Sequence, residues 1–142
     1  MDTSVAIKWY IEKEEADVAK AHDLLDCFGR GECVIRAPQL LLFEMANALT
    51  AAHKLNVAAV MVALAHLKEL NLDVRPLEWV TFSKAVEIAA ACDATIYDSY
   101  FLALAAETGS ILVTADEAFL KKARRYPAIM HLRQLRLPDS RL

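Results

Sequence analysis

At 142 residues, 56% of them apolar, with three Gly and four Pro, the chain suffices for one packed domain, 1–142. Its composition excludes disorder and a loop-rich all-β fold. Net charge is −3, which gives no general attraction for nucleic acid. The charge is uneven, however: residues 121–142 hold Lys121, Lys122, Arg124, Arg125, Arg133, Arg136 and Arg141 against Asp139, a balance of +6, so the first 120 residues carry −9. The longest unbroken apolar run, residues 57–65, is far short of the roughly 20 residues that span a bilayer. No basic-then-apolar leader opens the chain, and no membrane partner is expected. Cys27, Cys33 and Cys92 have no metal-ligand spacing and read as buried thiols in a reducing cytoplasm. The four histidines form no paired-ligand pattern and receive no role.

Hydrophobic periodicity predicts a helix-rich chain interrupted by short β-branched runs. Residues 5–12 read as a short helix, and 14–28 as an amphipathic helix closed by Gly29 and Gly31. Residues 33–36 form a brief strand. Pro38 suits the first turn of a long helix reaching about residue 55, and Asn56 caps the next, over 57–70. Residues 72–77 are extended. Helices follow over 81–92 and 99–108, the latter stopped by Gly109. Residues 111–114 make the clearest strand, 116–125 the last good helix, and 129–132 a short strand before the basic tail. Strands alternating with helices of this length imply an α/β fold with a mostly parallel sheet. In such sheets sites gather at the carboxyl ends of strands, where Asp98 and Asp116 fall.

Most acids have an ordinary explanation. Glu12, Glu14, Glu15 and Asp17 read as a solvated helix face. Glu44 does not: it is the only charge between Leu40 and Leu49, and its helical neighbours are Leu40, Leu41, Asn47 and Ala48. Nothing on its own helix can pair with it, and burying a lone carboxylate costs several kcal/mol, on the order of a single buried ion. Asp98 fits a helix N-cap, although Phe101 leaves it no capping-box partner. Thr114 and Glu117 fit a capping box that leaves Asp116 in the first turn, where the helix dipole also favours an anion. Asp2 reads alone as a chain end. Carboxylates brought together without a basic residue need a divalent cation to stay ionised, and hard oxygen donors select Mg²⁺ or Mn²⁺. Phosphodiester hydrolysis by a metal-activated water is the chemistry such a site supports, with no side-chain nucleophile. Ser4 and Ser99 then orient ligands or cap helices. A phosphoryl-accepting switch needs a second acid beside the strand-end Asp, which DTSVAI lacks.

Four segments, DTSVAIKW, APQLLLFEMANAL, ATIYDSYFLALAAETG and ILVTADEAF, together resemble the PIN-domain family, and within it the VapC-type toxins of toxin–antitoxin pairs. The resemblance implies a three-layer α/β/α domain with a central, mostly parallel sheet, and endoribonuclease activity dependent on Mg²⁺ or Mn²⁺. It also implies a homodimer and a protein antitoxin that blocks the site. It assigns Asp2, Glu44, Asp98 and Asp116 as metal-binding catalytic acids, with Ser4 and Thr114 as their supporting hydroxyls. A PIN ribonuclease of RNA maturation or decay without an antitoxin, and an inactive RNA-binding module, keep the same fold. The chain departs from the pattern twice. Relatives carry an apolar strand ahead of the first Asp, where only Met1 stands; either the start is internal to the reading frame or the numbering begins late, and if that strand is truly absent Asp2 is expected to lose the backbone that fixes it. Relatives also carry an Asp at the position of Ala118, so one well-held ion is expected rather than two. Two surface readings complete the picture. The helix over residues 57–67, apolar on nearly every side, is a candidate dimer or antitoxin contact. Lys121, Lys122, Arg124 and Arg125, on the helix that follows Asp116, are candidate contacts for the RNA backbone.

Overall fold

The computed structural model describes residues 1–13 and 15–138. Asp2 opens a short helix α1 (Thr3–Ala6), which tightens into a 3₁₀ turn over Ile7–Trp9. Helix α2 (Val18–Gly29) starts four residues later than the periodicity predicts. Asp17 lies in the left-handed region at φ 58 and pairs with Arg133, while Glu15 turns back to the buried Lys8 at 2.6 Å. The expected solvated acidic face is therefore partly consumed by ion pairs, and Glu14 lies outside the described residues. Gly31, at φ 73, accepts the left-handed turn that ends this segment and donates to the Phe28 carbonyl at 2.9 Å.

Strand β1 (Arg36–Pro38) follows, displaced from the predicted 33–36 because Pro38 ends the strand instead of opening the helix. Helix α3 (Leu40–Asn47) continues as a π turn over Ala48–Ala52, and together they match the predicted long helix. Asn56 caps α4 (Val57–Glu69) as expected, its side chain accepting from the Ala59 amide at 2.9 Å. Then come β2 (Asp73–Arg75), α5 (Trp79–Cys92), α6 (Ile96–Glu107), β3 (Leu112–Thr114), α7 (Glu117–Lys122) and β4 (Ile129–His131), with a final 3₁₀ turn over Leu132–Gln134. Arg141 and Asp139 of the basic end lie outside the described residues.

The α/β class is as predicted, and every described strand pairing is parallel. β1 pairs with β2, β3 pairs with β4, and no ladder joins the two pairs among the described residues. Between them lies a cleft of about 260 Å³ with Met1 in its wall, flanked by Val34, Ile35 and Arg36 on one side and Ile111 and Val113 on the other. Residues 1 and 2 bridge it: the Met1 ammonium donates to the Arg36 carbonyl at 3.2 Å, and the Asp2 amide to the Val113 carbonyl at 3.3 Å. Arg36 also crosses, donating to Ser110 Oγ at 2.8 Å.

The core gathers Leu41, Met45, Leu49, Ile88, Leu102, Leu112 and Leu132, all fully buried. Helix α6 is its centre, buried continuously from Ser99 to Ala105, and packs against α5, β1 and β3. Helix α4, by contrast, buries only Val60, Ala63 and Leu67 and leaves Val57, Met61 and Val62 exposed. Among the described residues no single helix is long and apolar enough to cross a membrane. Cys27 and Cys92 are buried as expected; Cys33 is only half-buried, at the end of a surface loop.

Candidate acidic site

Asp2, Asp98 and Asp116 sit where helices begin and Glu44 one turn inside α3, and each is held by a hydroxyl or by the helix start itself. Asp2 is the residue ahead of α1, and its backbone carbonyl accepts from the Val5 and Ala6 amides. Its side chain does no capping, so the carboxylate is free to face inward, and the residue is only 8% exposed. Ser4 Oγ donates to Asp2 Oδ1 at 2.5 Å and accepts from the Ala115 amide at 2.8 Å, while lying 3.3 Å from Thr114 Oγ1. The backbone that fixes Asp2 is thus β3 and the turn after it. The loss of position expected for a chain with only Met1 ahead of the acid does not occur.

Glu44, in the second turn of α3, is half-buried and meets no cation among the described residues; Thr3 Oγ1 donates to its Oε1 at 2.6 Å. Asp98 is not the N-cap that the sequence suggests. Thr95 is the cap, accepting from the Asp98 amide at 3.1 Å and donating to Asp98 Oδ2 at 2.9 Å. Asp116, predicted inside the first turn of its helix, is instead the N-cap of α7, and its Oδ1 accepts from the Phe119 amide at 2.9 Å. Thr114 Oγ1 accepts from the Asp116 amide at 3.0 Å and so sets the angle at which the chain leaves β3. Ser99, expected to orient a ligand or cap a helix, caps none: its Oγ is buried without a hydrogen-bond partner among the described residues.

Electrostatics tie the acids together. Burial pushes the Asp2 carboxyl up, against the hydroxyls of Ser4 and Thr114 and the Met1 ammonium, and the charge of Asp98 adds to the rise. Glu44 is also raised, first by burial and then by Asp98 and Asp2, with the Thr3 bond opposing. Asp98 is raised by burial and by Asp116, and lowered by Thr95 and Lys122. The acids therefore share one field, and among the described residues none of the four is ion-paired to Lys or Arg. They do not form a closed cage: no three Asp, Glu, His or Cys side chains among the described residues are grouped to hold an ion directly. All-oxygen donors on separate helices fit a hard divalent cation held by one or two carboxylates, with water completing its shell. They do not fit a soft or fully dehydrated ion.

Sequence reasoning missed Thr3 and Thr95. Thr95 stands three residues ahead of Asp98, a capping spacing, and was obscured because the helix starts three residues earlier than its apolar pattern suggests. Thr3 carries no comparable signal. The basic cluster is split. Lys121 and Lys122 end α7, but Arg124 and Arg125 lie beyond the helix on which all four were expected. Lys122 donates to the Asp93 carbonyl at 2.5 Å and Arg125 to the Ala91 carbonyl, so both are turned toward the C-terminal end of α5. Arg133 is held by Asp17 and Glu117.

The PIN domain family matches residues 1–125, most of the chain and all four acids. No curated protein matches. PIN domains have a three-layer α/β/α fold and are in general metal-dependent nucleases that act on RNA.

Proposed function

The chain belongs to the PIN domain family, and on that premise we propose that it is an endoribonuclease dependent on Mg²⁺ or Mn²⁺ and the toxin of a toxin–antitoxin pair. The observation that carries the catalytic part is that Asp2, Glu44 and Asp98 are buried or half-buried, each bonded to a hydroxyl and none ion-paired to Lys or Arg among the described residues. Unpaired carboxylates in partial burial are an arrangement a protein tolerates for a cation.

A bound Mg²⁺ or Mn²⁺ supplies a water of lowered pKa and neutralises charge on the phosphodiester. Asp2, Glu44, Asp98 and Asp116 are the residues that would hold it, one or two of them directly and the others through its bound waters. Ser4, Thr3 and Thr95 each restrain one carboxylate by a short hydrogen bond. The acids are thus oriented before any ion arrives, which lowers the cost of organising the site. Lys121 and Arg124 have no hydrogen-bond partner among the described residues and are the cations of the cluster available to RNA phosphates. Lys122 and Arg125 join them only by releasing α5.

The exposed apolar side of α4, with Phe43 of α3 at 74% exposure and Val62 at 71%, suits a homodimer or antitoxin contact. The test has two arms. Wild type is expected to cleave RNA with Mg²⁺ and not with EDTA, and Asp98→Asn to abolish cleavage while melting at the same temperature or slightly higher without metal. Wild-type cleavage rates in the variant would refute the assignment. Co-expression with any small protein encoded beside this gene, giving a stable complex that blocks cleavage, supports the toxin reading; the lack of such a protein, or cleavage unaffected by it, favours RNA maturation or decay.

A further inference from the structure

A second, smaller groove opens beside the acids. It has a volume of about 140 Å³ and is lined by Pro38, Leu40, Leu77, Phe82, Tyr97 and Tyr100, together with Gln39 and Ile96. The groove and the acids grow from the same two helix starts. Tyr97 precedes Asp98 in the first turn of α6, and Gln39 and Leu40 stand one turn ahead of Glu44 at the start of α3. One turn is about 5.4 Å of rise, so a chain whose phosphate lies at the acids has its adjoining base within reach of this groove.

The lining has a fixed part and an open part. Tyr100 is 5% exposed, and its hydroxyl accepts from the Glu78 amide at 3.1 Å, which immobilises the ring as a floor. Phe82 is half-buried and braced edge-on by Trp79, with ring centres 5.7 Å apart. Tyr97 and Leu77 stand at 60% and 58% exposure as opposed walls. Among the described residues the Gln39 side-chain amide makes no hydrogen bond, and it is the one amide on the lining. An amide presents a donor and an acceptor side by side, the arrangement that pairs with adenine.

We propose that this groove is a subsite for a single unpaired nucleobase, adenine preferred, of the RNA whose backbone enters the acidic site. The inference rests on the ribonuclease reading and extends it to sequence preference. Single-stranded RNA is recognised by splaying out bases, stacking them on aromatic rings and reading their edges. The groove accommodates one planar ring system, and it adjoins the site where RNA is cut.

Trp79, 77% exposed beside the groove, is a built-in reporter, since the other tryptophan, Trp9, is buried. The protein, in EDTA so that nothing is cleaved, is titrated with uridine hexamers carrying one adenosine, and Trp79 fluorescence is followed. Binding is expected to be tighter than for all-uridine hexamers. Tyr97→Ala is expected to weaken it about tenfold, the scale of one lost base stack, and Tyr97→Phe to retain it. Gln39→Ala is expected to abolish the preference for adenosine while retaining most of the affinity. Tyr97 is largely exposed, so folding of these variants is checked by their melting curves. Unchanged affinity in Tyr97→Ala would overturn the subsite. So would a change confined to association state in sedimentation, which would make the groove a protein contact. Base-selective binding by a wild type that cleaves no RNA with Mg²⁺ or Mn²⁺ would remove the nuclease reading and leave the subsite standing.

Discussion

Replacing Ser4 by alanine separates the positioning of Asp2 from its charge. One hydroxyl here serves two strained demands: it donates to the buried Asp2 carboxylate at 2.5 Å and accepts from the Ala115 amide at 2.8 Å. A hydrogen bond to a charged group contributes about 1.5–3 kcal/mol, and a buried amide left unsatisfied costs about 1–3 kcal/mol. Asp2 is 8% exposed, so water has little access to repair the first loss, while half-buried Ala115 leaves its amide at the lower end of that cost. Ser4→Ala is therefore expected to lower the unfolding free energy by about 3 kcal/mol, which corresponds to roughly 10 °C in melting temperature for a chain of this size. Urea titration at constant slope gives the free energy directly. The variant is also expected to need more Mg²⁺ for the same metal-induced rise in melting temperature, because Asp2 no longer has a fixed direction. A loss below about 1 kcal/mol, with the metal response intact, would show that Thr114 or water takes over and that Ser4 is incidental.

Ser99→Ala removes a fully buried hydroxyl that has no partner among the described residues and is expected to stabilise the fold by about 1 kcal/mol; destabilisation in urea would reveal a partner for that hydroxyl. Glu44→Gln addresses pH. The Glu44 carboxyl is raised by burial and by neighbouring charge, so the folded state holds its proton more tightly than the unfolded chain. Its ionisation then costs stability progressively as pH rises through the window between the ordinary glutamate value and the raised one. Without metal the variant is expected to match wild type at about pH 4 and to exceed it at about pH 8; the reverse order in melting temperatures would contradict the field described for the site. Finally, Lys121→Ala and Arg124→Ala are each expected to flatten the salt dependence of RNA binding by about 0.7 in log–log slope without altering the melting temperature. Lys122→Ala is expected to lower the melting temperature through loss of its bond to Asp93, and equal behaviour of all three would show that the cluster is not divided as its contacts suggest.

The parts of the fold that were legible were those decided locally. Asn56 capping α4, the glycine stops, and the helix ends near residues 92 and 108 follow from capping and backbone geometry within a few residues. What was obscured depended on contacts distant in sequence. The apolar pattern of residues 57–67 looks as buried as that of α6, but α4 lies at the surface and α6 at the centre. Nothing in either segment records how many neighbours the rest of the chain supplies. The acids were legible for a similar reason in reverse: Glu44 stood out because its own helix offers no partner. The bond of Glu44 to Thr3 was not, since it joins α1 to α3 across 41 positions, and although the resemblance marked Ser4 as a supporting hydroxyl, its hold on the Ala115 amide, 111 positions away, was not legible either. The contacts of Lys122 and Arg125 were not legible, because the carbonyls that engage them lie at the end of another helix.

The cleft between the two strand pairs gives Asp2 a mechanical part to play. Direct backbone bonds across the cleft, among the described residues, come from Met1 and Asp2, so the residue proposed to grip an ion is also the rivet between two half-sheets. Whatever loads its carboxylate pulls on both. Amide exchange offers a way to see it: the β1–β2 and β3–β4 ladders are expected to open as separate units without divalent ion, and to gain protection in step when it is added. The catalytic ion and the cohesion of the sheet would then be one property, and a chain deprived of metal would loosen first along the line that Asp2 bridges.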